Sequence, residues 1–195
     1  MLNEFTYKSK EELRRELTAR RRELTDKPRR EQCAVRRLSP LLKGNVMVYV
    51  SMGSELCTHG LIEELLARDD VVVYAPYTVG DTIEPRRVAC VGAPNKYGNM
   101  PADCYAEASR ENSRERSIKL DYCVTPLLGF NREGHRIGYG KGCYDRFFAR
   151  CEAVKIGLAF DAQFVDFVPS DDDVPLDCCV TEKKVIYFSH AGNSR

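Results

Sequence analysis

Apolar positions recur with helical spacing near the start of the chain, where Leu13, Leu17 and Leu24 fall near one face. Ser9, with Glu12 three residues on, forms a capping box, so a helix of about four turns is predicted. Asp26 and Pro28 start a second helix carrying Ala34, Leu38 and Leu41. The texture then changes. VMVYVSM (46–52) is short, apolar and β-branched, which predicts a buried strand. Thr58 caps a helix, HGLIEELLAR, and VVVYAPYT (71–78) predicts a second strand. Strand, helix and strand at this spacing form a βαβ unit and hence a parallel sheet. Residues 79–120 are weaker: RVACV (87–91) is compatible with a strand, and 92–117 read as loops or short helices. YCVTPLLGF (122–130) predicts another buried strand, CYDRFFARC (143–151) a helix and VKIGLAF (154–160) a strand. FVPSDDDVPLD is an acidic, proline-bearing loop, and CVTEKKVIYF (179–188) a final strand. No repeat, low-complexity tract or linker interrupts the chain. Residues 1–195 are therefore read as one α/β domain with two helices in front.

Composition narrows the class. The 195 residues are 43% hydrophobic and 30% charged, ordinary for a soluble protein, and long enough to bury a core without disulfides or metals. No apolar run reaches the length of a membrane span. The opening MLNEFTYKSKEELRRE lacks the apolar stretch of a secretory signal, and Glu4, Glu11 and Glu12 argue against a transit peptide. A cytoplasmic protein is expected. The nine cysteines are odd in number with no C-x-x-C spacing, so free thiols in a reducing compartment are expected rather than a disulfide framework or zinc site. Residues 1–43 carry 13 Lys/Arg against 7 Asp/Glu, and the remainder 17 against 22. The Arg runs at 20–22, 29–30 and 36–37 raise a nucleic-acid adaptor as an alternative. They have no interleaved aromatics, and a solvated helix face with Glu–Arg pairs is the preferred reading.

The most informative stretch is GFNREGHRIGYGKGCYDRF (129–147). It lies between a predicted strand and a predicted helix, where open α/β sheets bind ligands. Glycines there let backbone N–H groups approach an anion, and the following helix offers its positive end. Lys141 and Arg136 add charge where phosphates would lie. Two familiar phosphate motifs fail: Gly142 follows Lys141 where a P-loop needs Ser or Thr, and no G-x-G-x-x-G is completed. A plain glycine-rich turn is the alternative; Arg, Lys and three alternating glycines favour phosphate. Asp145 suits Mg²⁺ beside phosphates and equally suits a first-turn Asp opposing the helix dipole. Asp171, Asp172, Asp173 and Asp177 offer a second carboxylate or a solvated turn. His135 is read as solvated rather than catalytic.

These residues resemble a known family. The run from Gly129 to Asp145 is similar to the signature G-F-x-x-x-G-x-R-[IL]-G-x-G-K-G-x-Y-D of 5-formyltetrahydrofolate cyclo-ligases. K-x-x-L-R at Lys10 to Arg14, Y-V-S-M-x-x-E-x-x-T from Tyr49 to Thr58, and the tail from Phe164 to Asp177 agree in order, so the likeness spans about residues 8 to 185. The resemblance implies a Rossmann-like, coenzyme A-transferase-like, mostly parallel sheet flanked by helices, with two N-terminal helices. It implies ATP- and Mg²⁺-dependent cyclisation of 5-formyltetrahydrofolate, with or without a polyglutamate tail, to 5,10-methenyltetrahydrofolate. ADP and phosphate are released through an N5-iminophosphate. Carried over, Lys10, Arg14, Arg136, Ile137, Gly138, Tyr139, Gly140, Lys141, Gly142, Cys143 and Tyr144 would hold ATP, with Lys141 and Arg136 catalytic. Val50, Met52, Glu55 and Tyr139 would contact the folate, and Asp145 and Asp173 would hold Mg²⁺. A monomer without nucleic-acid or membrane partners is expected. Two positions depart from the family: Asn131 stands where Asp is expected after G-F, and Cys143 where Tyr is usual. They motivate an alternative, a non-catalytic ATP-binding paralogue of the same fold. Cys143, near Lys141 and a helix start, is expected to have thiolate character.

Overall fold

The computed structural model describes residues 8–106 and 118–189. Helix α1 (Lys10–Glu23) begins at the capping box, where the Ser9 side chain accepts from the Glu12 N–H and the Glu12 carboxylate accepts from the Ser9 N–H. Its Leu13 and Leu17 are buried. Helix α2 (Lys27–Leu38) follows Asp26, whose left-handed backbone turns the chain, and buries Ala34 and Leu38.

Seven strands form one sheet in the order β3-β2-β1-β4-β7-β8-β9. Strands β1 (Gly44–Val48), β2 (Val71–Val79), β4 (Tyr122–Thr125), β7 (Val154–Leu158) and β8 (Cys178–Val180) run parallel. They carry the β-branched runs expected of strands covered on both faces. The edges β3 (Thr82–Arg87) and β9 (Val185–Tyr187) are antiparallel hairpin partners of β2 and β8. Helix α3 (His59–Leu66) buries Leu61, Ile62 and Leu65 in the main core, with Val46, Val48, Val73, Val124 and Ile156 of the sheet. Helix α4 (Cys143–Phe148) packs Phe147 and Phe148 on a second cluster with Met47 and Cys123.

Several expected elements differ, each for a local reason. The run 46–52 leaves the sheet after Val48. Thr58 does not cap α3 with its side chain; its Oγ1 donates to the Tyr49 carbonyl at 2.7 Å, and Tyr49 Oη donates to the Leu56 carbonyl at 2.8 Å. These bonds fold 49–58 into a turn. The strand near 87–91 lies earlier, at 82–87, paired with β2, and only Val88 bridges onward to Tyr105. The run 122–130 breaks after Thr125, because Pro126 cannot donate to a ladder. Its end becomes β5 (Gly129–Phe130), an antiparallel ribbon with β6 (Arg136–Ile137). The segment 179–188 is a hairpin rather than one strand, its turn held by Thr181. Within the expected 92–117 loops, Ala102–Cys104 forms a 3₁₀ turn, and 107–117 lie outside the described residues.

Candidate active site

The parallel strands β1, β2 and β4 end on one side of the sheet, and a cleft of about 610 Å³ opens there. Crevices at the carboxyl ends of parallel strands are where α/β sheets bind ligands. All the residues predicted from the sequence line this cleft: Lys10, Arg14, Val50, Met52, Glu55, Asp145, Asp173 and the run Arg136–Tyr144. They arrive from α1, the turn after β1, strand β6 with the loop that follows it, the start of α4 and the acidic loop before β8.

The glycine-rich loop is shaped by its backbone. Gly140 and Gly142 have φ of +95° and +64°, values that side chains disfavour. A Cβ on Gly140 would sit 3.3 Å from the Arg14 guanidinium, whereas one on Gly138 would meet nothing within 4 Å. The loop therefore offers bare backbone to the cleft at Gly138 and close packing to α1 at Gly140. Arg14 Nε donates to the Gly138 carbonyl at 2.9 Å. Lys141 is exposed and makes no ion pair among the described residues; its Nζ is 5.9 Å from the Tyr97 ring centroid.

Arg136 and Asp145 form a pair at 3.1 Å, with the Arg136 side chain only 4% exposed. Arg136 also donates to the Val174 carbonyl, and the Val174 N–H donates to Asp145 Oδ1. Lys10 Nζ bonds Asp173 Oδ2, which also accepts from the Ser170 N–H at 2.8 Å. Asp145 uses Oδ1 and Asp173 uses Oδ2 in these contacts, leaving the other oxygen of each for a further partner. Asp177 is turned elsewhere: it accepts from the Lys155 N–H at 2.7 Å and pairs with Lys155 Nζ.

The opposite wall is built around Glu55. Its Oε2 accepts from the Met52 N–H at 2.8 Å, and its Oε1 is buried without a hydrogen-bond partner among the described residues. Burial raises its carboxyl above the usual range, against the Met52 N–H, the Tyr139 hydroxyl and the Arg21 charge, which pull it down. Burial and the Glu55 charge likewise raise the Tyr139 phenol.

Arg21 was not legible as a site residue. It is 3% exposed and spreads its guanidinium to Ser54 Oγ (3.1 Å), the Leu127 carbonyl (3.1 Å) and Tyr139 Oη (2.7 Å). It thereby ties α1, the Glu55 turn and the glycine loop together. Its place in the run 20–22 reads as one more surface charge; only its i+4 and i+8 relation to Leu17 and Leu13, on the buried face of α1, signals otherwise. The run is not a continuous basic face: Arg20 pairs with Glu16 and Arg30 with Glu182. Tyr97, from the β3–β4 connection, also lines the cleft.

One sequence expectation changes. His135 is half-buried rather than solvated and lies outside the cleft, 3.8 Å from Glu133. Asn131, which departs from the family pattern, is buried in a turn outside the cleft. Its Oδ1 accepts from the Glu133 and His135 N–H groups at 3.1 and 2.9 Å, and its Nδ2 donates to the Phe167 carbonyl at 3.4 Å. Cys143 is half-buried in the cleft wall with Sγ 4.0 Å from Arg146 Nη2.

A mostly parallel α/β sheet with a cationic, glycine-rich loop at its strand ends defines the class: an α/β fold with one cleft at the carboxyl ends of its parallel strands. The 5-formyltetrahydrofolate cyclo-ligase family model matches residues 6–182, and the chain belongs to that family. It is 31% identical over 156 residues to a probable 5-formyltetrahydrofolate cyclo-ligase of Caenorhabditis elegans, covering 72% of this chain and 74% of the relative. It is 29% identical over 188 residues to the 5-formyltetrahydrofolate cyclo-ligase of Escherichia coli strain K12, covering 85% and 96%. The solved 5,10-methenyltetrahydrofolate synthetase of Aquifex aeolicus superposes with a TM-score of 0.73 at 28% identity, over 95% of this chain and 99% of that one. Among the described residues no helix is long and apolar enough to cross a membrane.

Proposed function

We propose that this chain closes 5-formyltetrahydrofolate to 5,10-methenyltetrahydrofolate at the expense of ATP, releasing ADP and phosphate. The family supports the folate conversion. The nucleotide, the Mg²⁺ ion and the route belong to the proposal. The observation that carries it is the convergence in one cleft of a glycine loop whose Lys141 makes no ion pair among the described residues, the α1 cations Lys10 and Arg14, and a buried Glu55 oxygen without a hydrogen-bond partner among them.

The geometry supports the following division of labour. Lys141, Arg14 and the open backbone at Gly138 take the phosphates; phosphoryl transfer needs alignment and neutralised charge more than covalent help. Asp145 and Asp173 each keep one oxygen free, which fits Mg²⁺, an ion that takes one or two carboxylates and retains waters. Bound there, the ion would neutralise phosphate charge. Arg136 orients Asp145 and Lys10 orients Asp173. Glu55 Oε1 accepts from the pterin amide and amino groups, because a buried carboxylate oxygen left unpaired is costly. In this reading the formyl oxygen accepts the phosphoryl group, N10 attacks the activated formyl carbon, and that oxygen leaves within phosphate. Tyr139 stands between the two halves, hydrogen-bonded to Arg21.

The test is spectrophotometric: growth of the methenyl absorbance on mixing protein, 5-formyltetrahydrofolate and Mg·ATP. Lys141→Ala is expected to lower turnover on the order of a hundredfold, the size of losing one preorganised charge donor, with an unchanged melting temperature. ATP binding with no product from the unaltered protein would overturn the reading and favour the non-catalytic alternative.

A further inference from the structure

Cys90 and Cys104 stand at the two ends of the loop that carries Lys96 and Tyr97 into the cleft. The N–H groups of Ala89 and Cys90 both donate to the Cys104 carbonyl, at 2.8 and 3.4 Å, while Val88 bridges Tyr105. Two residues therefore oppose one. This is a β-bulge, which re-aims a side chain. The chain doubles back tightly here: a Cβ on Gly92 would lie 2.7 Å from Cys104 Sγ. Cys90 is exposed and Cys104 is buried. The Cys104 thiol is pushed up to about 11, by burial first and then by interaction with the Cys90 thiol. The backbone pairing thus sets Cys90 across from Cys104, with the outer thiol open to solvent and the inner one buried. No other part of the proposed reaction uses either residue.

We propose that Cys90 and Cys104 form a thiol–disulfide exchange site for low-molecular-weight disulfides, with Cys90 the attacking thiol and Cys104 the resolving one. The Cys90 thiolate bonds to one sulfur of R–S–S–R; that S–S bond breaks, and the departing sulfur takes up a proton as R–SH. Cys104 Sγ then gives up its proton and bonds to Cys90 Sγ, releasing the second R–SH. Two cysteine thiols are oxidised to one disulfide, and the small disulfide is reduced to two thiols. The new bond closes a ring whose tip holds Lys96 and Tyr97, so oxidation lowers turnover at the cleft. Cys57 makes the contrast. It is also exposed, with Sγ 3.6 Å from His59 Nδ1, but among the described residues no thiol is seen bonded to it, so it stops at the mixed disulfide.

The experiment treats the full chain with oxidised glutathione and maps unreduced peptides by mass spectrometry. The expected product is a peptide pair joined through Cys90 and Cys104, lacking two hydrogens. Cys57 retains glutathione. Cys104→Ser is expected to accumulate glutathione on Cys90, and Cys90→Ser to leave Cys104 unmodified. Stable glutathione on Cys90 of the unaltered protein, or modification of Cys104 in Cys90→Ser, would overturn the assignment. The effect on turnover rests on the proposed folate activity, and the reduced protein separates the two. Activity before oxidation, lost on cross-linking and restored by dithiothreitol, supports the coupling. Unchanged activity in cross-linked protein refutes the coupling, and inactivity of the reduced protein refutes the activity.

Discussion

Replacing Arg21 with Met keeps the aliphatic bulk of the side chain and removes its charge. Three hydrogen bonds disappear, to Ser54, Leu127 and Tyr139. Bonds to a charged group contribute about 1.5–3 kcal/mol each, but the full sum does not apply. The Leu127 carbonyl keeps the Gln163 Nε2 donor at 2.7 Å, and Ser54 and the half-exposed Tyr139 can turn to water. Removing a buried guanidinium also recovers its desolvation cost, while Glu55 loses the Arg21 charge that pulls its carboxyl down. Breaking buried charge contacts from one side commonly costs 3–5 kcal/mol, and the offsets place Arg21→Met near the lower end, about 3 kcal/mol. For a chain of this length that is a fall of roughly 6–12 °C in melting temperature. Urea denaturation measures the loss directly. A Tyr139→Phe cycle then isolates the Arg21–Tyr139 bond, with a coupling of about 0.5–3 kcal/mol. Arg21→Lys should fall between, because one ammonium cannot serve three divergent acceptors. A loss under about 1 kcal/mol for Arg21→Met, the size of an exposed ion pair, would refute the reasoning.

Other outcomes follow from single contacts. Glu55 binds its proton more tightly when folded than when unfolded, so its ionisation costs stability as pH rises from the ordinary carboxylate value through the raised one. Glu55→Gln should therefore gain in melting temperature relative to the unaltered protein as pH rises through that window, and a pH-independent difference would contradict this. Gly138→Ala should fold normally, since its Cβ meets nothing, yet bind Mg·ATP more weakly by titration calorimetry; unchanged affinity would remove this backbone from the phosphate site. Asn131→Ala strands the Glu133 and His135 N–H groups and should cost about 1–3 kcal/mol in urea. Asn131→Asp keeps those acceptors, loses the Phe167 bond, and should cost less.

The order of elements was readable because the strands of the parallel core lie in short, mostly apolar runs and the helices carry apolar residues at helical spacing. The hairpin edges were not. Thr82–Arg87 is polar and carries Pro85, and such a strand exists only because β2 supplies its pairing partner. The site divided the same way. The loop from Arg136 to Asp145 is contiguous and carries its chemistry in the order of its residues. Arg21 and Tyr97 are distant from it in sequence and enter the cleft by tertiary packing alone.

Taken alone, the chain determined a mostly parallel α/β sheet, two leading helices, a cationic glycine-rich loop and the family. Those properties are local, set by periodicity, turn chemistry and the spacing of glycines and cations. Which carboxylate meets which cation was decided by the fold. Lys10 reaches Asp173, Arg136 reaches Asp145, and Asp177 turns to Lys155. Charge pairing depends on distances of a few ångströms between segments far apart in sequence, and only the packed sheet brings them within range. The same holds for the buried oxygen of Glu55 that has no partner among the described residues, because burial is a property of everything that surrounds a residue.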